Sequence, residues 1–229
     1  MRRRSIFLVV MLAAVVVNCR ADVLDRTVAS VNGHVILFSD WNDEMRFECF
    51  ASGGSVADLT AEEKQAALQR LIDQELLKEQ LRLTDERPVE EEKLEKQIAS
   101  LKDDYLRQHP GESWETALAK YHLSAKFIRN HVASELQELQ LIDARFRPSA
   151  QVSAAEIDSY YKDQFVPKLP ASDPVSLPDA TPKIREILVQ GKIDQMLSSW
   201  LQTLRSQAQI RIVPDSARTE TMPPQVPAP

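Results

Sequence analysis

The sequence contains few glycines and cysteines, and these shortages exclude several kinds of protein. Its 229 residues include five glycines and two cysteines. Five glycines are too few for the tight turns of a large β-sandwich or barrel, and no glycine-rich phosphate-binding loop is present. The four histidines form no His-x3-His pair and no Cys–His spacing, and there is no Gly-x-Ser-x-Gly elbow. We therefore predict no catalytic residue, no metal and no cofactor.

The charge distribution argues against nucleic acid as a partner. Residues 1–21 contain four arginines and no acidic residue. The rest of the chain then has 24 basic against 34 acidic residues, a net charge of −10. Phosphate binding needs clustered cations, so no nucleic-acid partner is expected.

The N-terminus is predicted to be a cleavable export signal. Arg2–Arg4 form a basic segment, Ile6–Val17 carry no charge, and Cys19-Arg20-Ala21 places small side chains where a signal peptidase reads. Cleavage after Ala21 would leave the protein in the periplasm with no stable membrane insertion; a retained anchor is the alternative. Twelve apolar residues are fewer than the roughly 20 that span a bilayer. Cys49 would then be the single remaining cysteine and is expected to be a buried thiol.

The prolines mark boundaries along the chain. Ten of the thirteen lie in 166–182, predicted to be a linker, or in 214–229, predicted to be a disordered tail. The other three each stand where a helical period stops: Pro88, Pro110 and Pro148. The predicted organisation is a helical first part at 22–165, the linker, and a returning helix and strand at 183–213.

Local patterns predict a hairpin followed by several helices. The hairpin covers Val23–Leu37, with β-branched residues on both sides of Asn32-Gly33, a dipeptide that suits a two-residue turn. Helices are predicted after four capping signals: Ser39, the box Thr60-Ala61-Glu62-Glu63, Ser113 and Ser124. A further helix is predicted over about 89–108. The fold class is therefore mostly α with a small β element.

The end of the chain is predicted to return to its beginning. Ile184, Ile187 and Leu188 form one apolar face of the last helix, and a second face, about half a turn away, begins at Met196. Such a helix can pack on one neighbour with its front half and on another with its back half. Gln209–Val213 alternates as a strand with no local partner. We expect this strand to pair with the N-terminal hairpin, which makes the helical domain discontinuous.

Four segments together resemble the N-terminal domain of SurA-type periplasmic chaperones, which are related to PrsA-type foldases and trigger factor. They are Val23–Gly33 with Val35–Asp40, Leu68–Leu77, Val152–Tyr161, and Ile184–Ile212 with Trp200-Leu201 and Leu204-Arg205. The resemblance spans nearly all of Val23–Val213. It implies a helical lobe that holds unfolded polypeptides, such as those destined for the outer membrane.

The chain departs from this family in one large respect. Full-length members carry one or two parvulin-type prolyl isomerase domains where this chain has the seventeen residues Val166–Pro182. A segment that short cannot bury a core of its own. Arg185–Val189 resembles the first parvulin strand, but Glu186 stands where a histidine is usual, and the segment is better explained as part of the last helix. An isomerase activity is thus the alternative to the chaperone function, and a scaffold protein of the envelope is another.

A chaperone of this kind binds clients through apolar and aromatic side chains, because its clients share these groups and a backbone. The expected partners are unfolded polypeptides, and the protein is expected to be a monomer or a weak dimer. Ordinary core packing is the favoured explanation for each single aromatic at helical spacing. The candidate client-binding residues are Trp114, Tyr121, Phe127, Tyr160, Tyr161, Met196 and Trp200.

Overall fold

A computed structural model describes residues 25–84, 88–168 and 175–214. The elements in these ranges are β1 (Thr27–Val31), β2 (His34–Leu37), α1 (Phe38–Ser52), α2 (Ala61–Arg82), α3 (Glu91–Gln108), α4 (Trp114–Lys120), α5 (Ala125–Phe146), α6 (Ala154–Tyr160), α7 (Leu177–Gln207) and β3 (Ile210–Ile212). The protein is mostly helical with a small antiparallel sheet, as predicted. The predicted export signal lies outside the described residues, as does all of the predicted tail except Pro214.

The sheet joins the two ends of the described chain. Asn32 and Gly33 both have positive φ, 49° and 90°, as a primed two-residue turn requires. β1 lies in the centre, with β2 on one side and β3 on the other. Val31 pairs with His34 and with Ile210, and the N–H of Asn32 donates to the carbonyl of Gln209 at 3.0 Å. The last strand therefore closes on the hairpin.

Most of the predicted helix starts are present, and one is wrong. The side chains of Thr60, Ser113 and Ser124 each accept a backbone N–H in the first turn of their helix. Ser39 does not cap α1, because Leu37 is still paired with Thr27 in the sheet and the helix follows directly at Phe38. The carboxylate of Asp40 instead accepts the N–H of Leu37, the residue that precedes the helix, at 3.0 Å.

The predicted linker is shorter than the sequence suggested. α7 begins at Leu177, so the last six residues assigned to the linker are helical. Pro178 is in the first turn, where a backbone N–H has no partner within the helix. Pro182 lies inside α7 and removes one hydrogen bond, but the helix continues through it. At the other end, Val166–Lys168 form a short turn after the π-helical segment Tyr161–Phe165.

The core consists of several clusters connected by α2, α5 and α7. The largest surrounds Phe50 where α1, α3, α4 and α5 meet, and a second lies between the sheet, α1 and α2. Two smaller clusters form where α7 packs on the end of α5 and on α6. α7 has 31 residues and is about 46 Å long, so it reaches from α6 to the sheet. This confirms that its two halves pack on different neighbours, although Ile187, predicted for the front face, is 39% exposed.

The guanidinium of Arg205 fastens the end of α7 to α2. Nε donates to Asp73 Oδ1 at 2.6 Å, Nη1 donates to Gln69 Oε1 at 2.6 Å, and Nη2 donates to the Gln69 carbonyl at 3.0 Å. A planar guanidinium suits this arrangement because its donors are held in a fixed fork. The contact joins residues more than 130 positions apart.

Candidate functional site

The structure distributes the seven predicted client-binding residues among three separate clusters. Trp114, Tyr121 and Phe127 belong to the cluster around Phe50. Tyr160 and Tyr161 pack with the start of α7, and Met196 and Trp200 pack against Phe146. The seven residues therefore do not line one common groove.

Packing accounts for several of these side chains. Tyr121 is 6% exposed, so it is a core residue and not a surface for a client. The Tyr161 hydroxyl donates to the Val175 carbonyl at 2.7 Å. The Trp200 ring meets the Phe146 ring edge-on, with 5.5 Å between centroids, and the Arg145 guanidinium covers it at 4.4 Å. Phe127 differs, because it is half-buried and also lines a cavity.

A concave surface lies between the end of α2, the start of α3, the second half of α5 and the middle of α7. We call it the open groove; its volume is about 860 Å³. The aliphatic residues that line it are Leu81, Pro88, Leu139, Leu141 and Ala144. Leu139 is 52% exposed, so its aliphatic side chain is open to a ligand in the groove.

The other residues that line the open groove are polar or charged: Thr84, Glu90, Lys93, Gln137, Gln140, Asp143, Arg147 and Gln190. Three of them are carboxamides: Gln137, Gln140 and Gln190. The amide of Gln190 donates to Asp194 at 2.9 Å, whereas no hydrogen bond within residues 25–84, 88–168 and 175–214 occupies the side chains of Gln137 and Gln140. A carboxamide both donates and accepts, so it can pair with the backbone of a bound chain in an extended conformation.

A second cavity of about 450 Å³ lies between α1, α2 and α5. We call it the acidic cleft, because its charged lining is dominated by carboxylates: Asp40, Asp43, Glu44, Glu75, Glu135 and Glu138, with Lys78 as the cation. Its apolar walls are Val35, Ile36, Leu71 and Phe127.

Burial changes the titration of three side chains in the acidic cleft. Burial, and then the charge of Glu48, raises the pKa of Glu44 to about 7. Burial also raises the pKa of Glu138 to about 7, although Lys78 and a hydrogen bond from Ser134 Oγ at 3.2 Å oppose this. Burial and the charge of Lys78 lower the pKa of His131 to about 4. The histidine is thus neutral at pH 7, and both carboxyls keep their protons to a higher pH than ordinary glutamates do.

The acidic cleft is a site that sequence reasoning missed. Glu44 follows Trp41 by three residues and precedes Met45, so it stands within the buried stripe of α1. A carboxylate at a core position of an amphipathic helix is a signal that could have been found. Tertiary packing alone brings Lys78 of α2 and His131 and Glu138 of α5 to the same cleft as Glu44.

Comparisons with known proteins give no assignment. The chain matches no protein-family model and no curated protein. Within the described residues, no helix is both long and apolar enough to cross a membrane. The same part of the chain holds no group of three or more His, Cys, Asp or Glu side chains arranged to bind a metal ion.

Proposed function

We propose that this protein is a periplasmic chaperone-like protein that binds unfolded or extended polypeptides, such as outer-membrane proteins before they fold, in its open groove. The observation that carries the proposal is the groove itself. Its aliphatic lining and unoccupied carboxamides suit a ligand that varies in side chains but always offers a backbone and apolar groups. Binding of this kind stabilises the unfolded client against aggregation by mass action.

The overall fold supports the proposed relationship to the SurA N-terminal domain. β3 pairs with β1, and Arg205, in one of the segments that carry the resemblance, joins α7 to α2. The arrangement explains how a domain can be built from both ends of a chain. In the family, the interval between these ends holds an isomerase domain, whereas here α6 and α7 follow each other closely and pack together.

The isomerase alternative receives less support than the chaperone proposal. Arg185–Val189, which resembles the first parvulin strand, lies inside α7. Its Glu186 is on the surface and accepts a hydrogen bond from Arg147 at 3.1 Å. The segment is therefore a helical surface in this protein.

Fluorescence anisotropy tests the proposal directly. A labelled, unfolded, aromatic-rich outer-membrane-type polypeptide is titrated with the chain lacking residues 1–21, and a folded globular protein serves as the control ligand. Affinity near micromolar, about −8 kcal/mol, is expected for the unfolded polypeptide alone. No saturation up to hundreds of micromolar would refute the proposal.

A groove variant locates the binding site. The triple variant Leu139→Ala, Gln137→Ala and Gln140→Ala removes the exposed leucine and both carboxamides, and should weaken binding by about tenfold or more. Val166→Ala is the matched control, because Val166 is also exposed, 43%, and lies outside the groove. Equal affinity of the triple variant and the control would place the client elsewhere on the protein.

A further inference from the structure

The buried carboxylate of Glu44 faces the acidic cleft. Glu44 is 6% exposed, and no hydrogen bond to its carboxylate is made by any residue in the described part of the chain. The Nδ1 atom of His131 lies 3.8 Å from Glu44 Oε2, which is beyond hydrogen-bonding distance, and the ring is neutral at pH 7. A buried carboxylate is normally hydrogen-bonded, and that of Glu44 keeps this capacity free for a ligand that enters the cleft.

The charges around Glu44 come from all three helices that enclose it. They are Asp40, Asp43 and Glu48 on α1, Arg70, Glu75 and Lys78 on α2, and His131, Glu135 and Glu138 on α5. Three of these carboxylates are already in ion pairs: Glu48 with Arg70, Asp43 with Arg46 and Glu75 with Arg82. Asp40, Glu44, Glu135 and Glu138 remain. Lys78 makes no ion pair shorter than 4.0 Å with any residue described in the structure. Negative charge is therefore in excess, and a cation would be attracted to the cleft.

The walls of the acidic cleft define what kind of cation fits. Val35, 58% exposed, and Leu71 line the cavity from the sheet and α2, and the half-buried ring of Phe127 lines it from α5. An apolar wall suits an aliphatic stem, and an aromatic face adds attraction for the charged head. Lysine and arginine side chains have this construction, a charged group at the end of three or four methylenes.

We infer that the acidic cleft binds the lysine or arginine side chains of the extended polypeptide, with Glu44 and Glu138 receiving the charged head. This inference rests on the proposed function and specifies it, because it states which clients are preferred. The open groove would accept any extended chain, whereas the cleft selects segments that carry a basic residue. Recruitment of a cation also favours ionisation of both carboxyls, so binding releases protons and strengthens as the pH rises from 6 to 8.

The test uses two labelled peptides with the sequence of an unfolded client. The two peptides differ in one side chain. One carries arginine and the other citrulline, which has the same shape and no charge. At pH 8 the arginine peptide should bind the chain lacking residues 1–21 about tenfold more tightly. Glu44→Gln combined with Glu138→Gln should remove this preference, while Glu92→Gln, an exposed change on α3 outside the cleft, should retain it.

The outcomes separate this inference from the proposed function. Equal binding of the two peptides would overturn the basic-residue subsite and leave the chaperone proposal standing. Absence of binding by either peptide would overturn both. A free polyamine carries the same charged and aliphatic groups without a polypeptide backbone, so spermidine binding is measured by calorimetry. Tight spermidine binding together with equal affinity for the two peptides would assign the cleft to a small amine and overturn the inference.

Discussion

Replacing Glu44 by glutamine should remove a pH-dependent destabilisation of the native protein. Glutamine has nearly the shape of a protonated glutamic acid, so the core of α1 is preserved. Glu44 is 6% exposed in the folded chain, and burial raises the pKa of its carboxyl from the ordinary value of 4.5 to about 7. Deprotonation of Glu44 therefore costs more in the native state than in the unfolded state.

The direction of the pH dependence follows from the raised pKa. A carboxyl whose pKa is raised in the native state stabilises that state fully below pH 4.5, where it is protonated. This stabilisation is lost as the pH rises to about 7. Glu138, with its pKa also raised to about 7, acts in the same direction. His131 acts oppositely: its pKa is lowered to about 4, so its contribution is present above pH 6.5 and is lost as the pH falls through 4.

The magnitude follows from the difference between the native-state pKa of Glu44 and its ordinary value. At about 1.4 kcal/mol per pH unit, ionising it in the native state costs about 3 kcal/mol. Because Glu44 also raises the pKa of Glu138, removing its charge brings a further small change in the same direction. Glu44→Gln should gain about 2 to 3 kcal/mol relative to the wild type between pH 5 and pH 8. For a chain of this size, that corresponds to about 5–10 °C in Tm.

Thermal unfolding followed by circular dichroism at pH 5, 6, 7 and 8 measures this difference. The quantity of interest is the difference in Tm between variant and wild type at each pH, which cancels the contribution of His131. Glu92→Gln provides the control and should show no trend with pH. A difference between Glu44→Gln and the wild type that stays constant from pH 5 to pH 8 would show that Glu44 is not desolvated as described.

Two further substitutions test other contacts. Arg205→Ala removes all three hydrogen bonds between the guanidinium and α2, and should lower the free energy of unfolding by about 2 kcal/mol in urea titrations. The control is Arg107→Ala at an exposed site, which should cost less than about 0.5 kcal/mol. Equal losses in the two variants would contradict the role of Arg205. Tyr121→Phe removes a buried hydroxyl that has no hydrogen-bond partner among the described residues. The free energy of unfolding should be unchanged or rise by about 1 kcal/mol, and client affinity should stay the same. A clear loss of stability would mean that the hydroxyl has a hydrogen-bond partner.

The sequence determined the elements and their order, because these depend on neighbours along the chain. The turn at Asn32-Gly33 follows from the tolerance of both residues for positive φ. The start of α2 follows from the reciprocal hydrogen bonds of Thr60 and Glu63, which need four consecutive residues and nothing else. The return of the last strand to the hairpin was also predictable, since no other strand was predicted, but its pairing with β1 and not β2 was not.

Tertiary structure alone decided where concave surfaces form and which charges meet in them. Periodicity shows that an aromatic residue lies on an apolar face, but it does not show whether that face is covered. Tyr121 is therefore a candidate for client binding by sequence alone, and the structure places it in the core. Glu44, Lys78 and Glu138 are far apart in sequence, and their opposition across the acidic cleft is set by the way α1, α2 and α5 pack. Desolvation depends on all the atoms surrounding a group, so it is a property of the folded chain and cannot be read from local sequence.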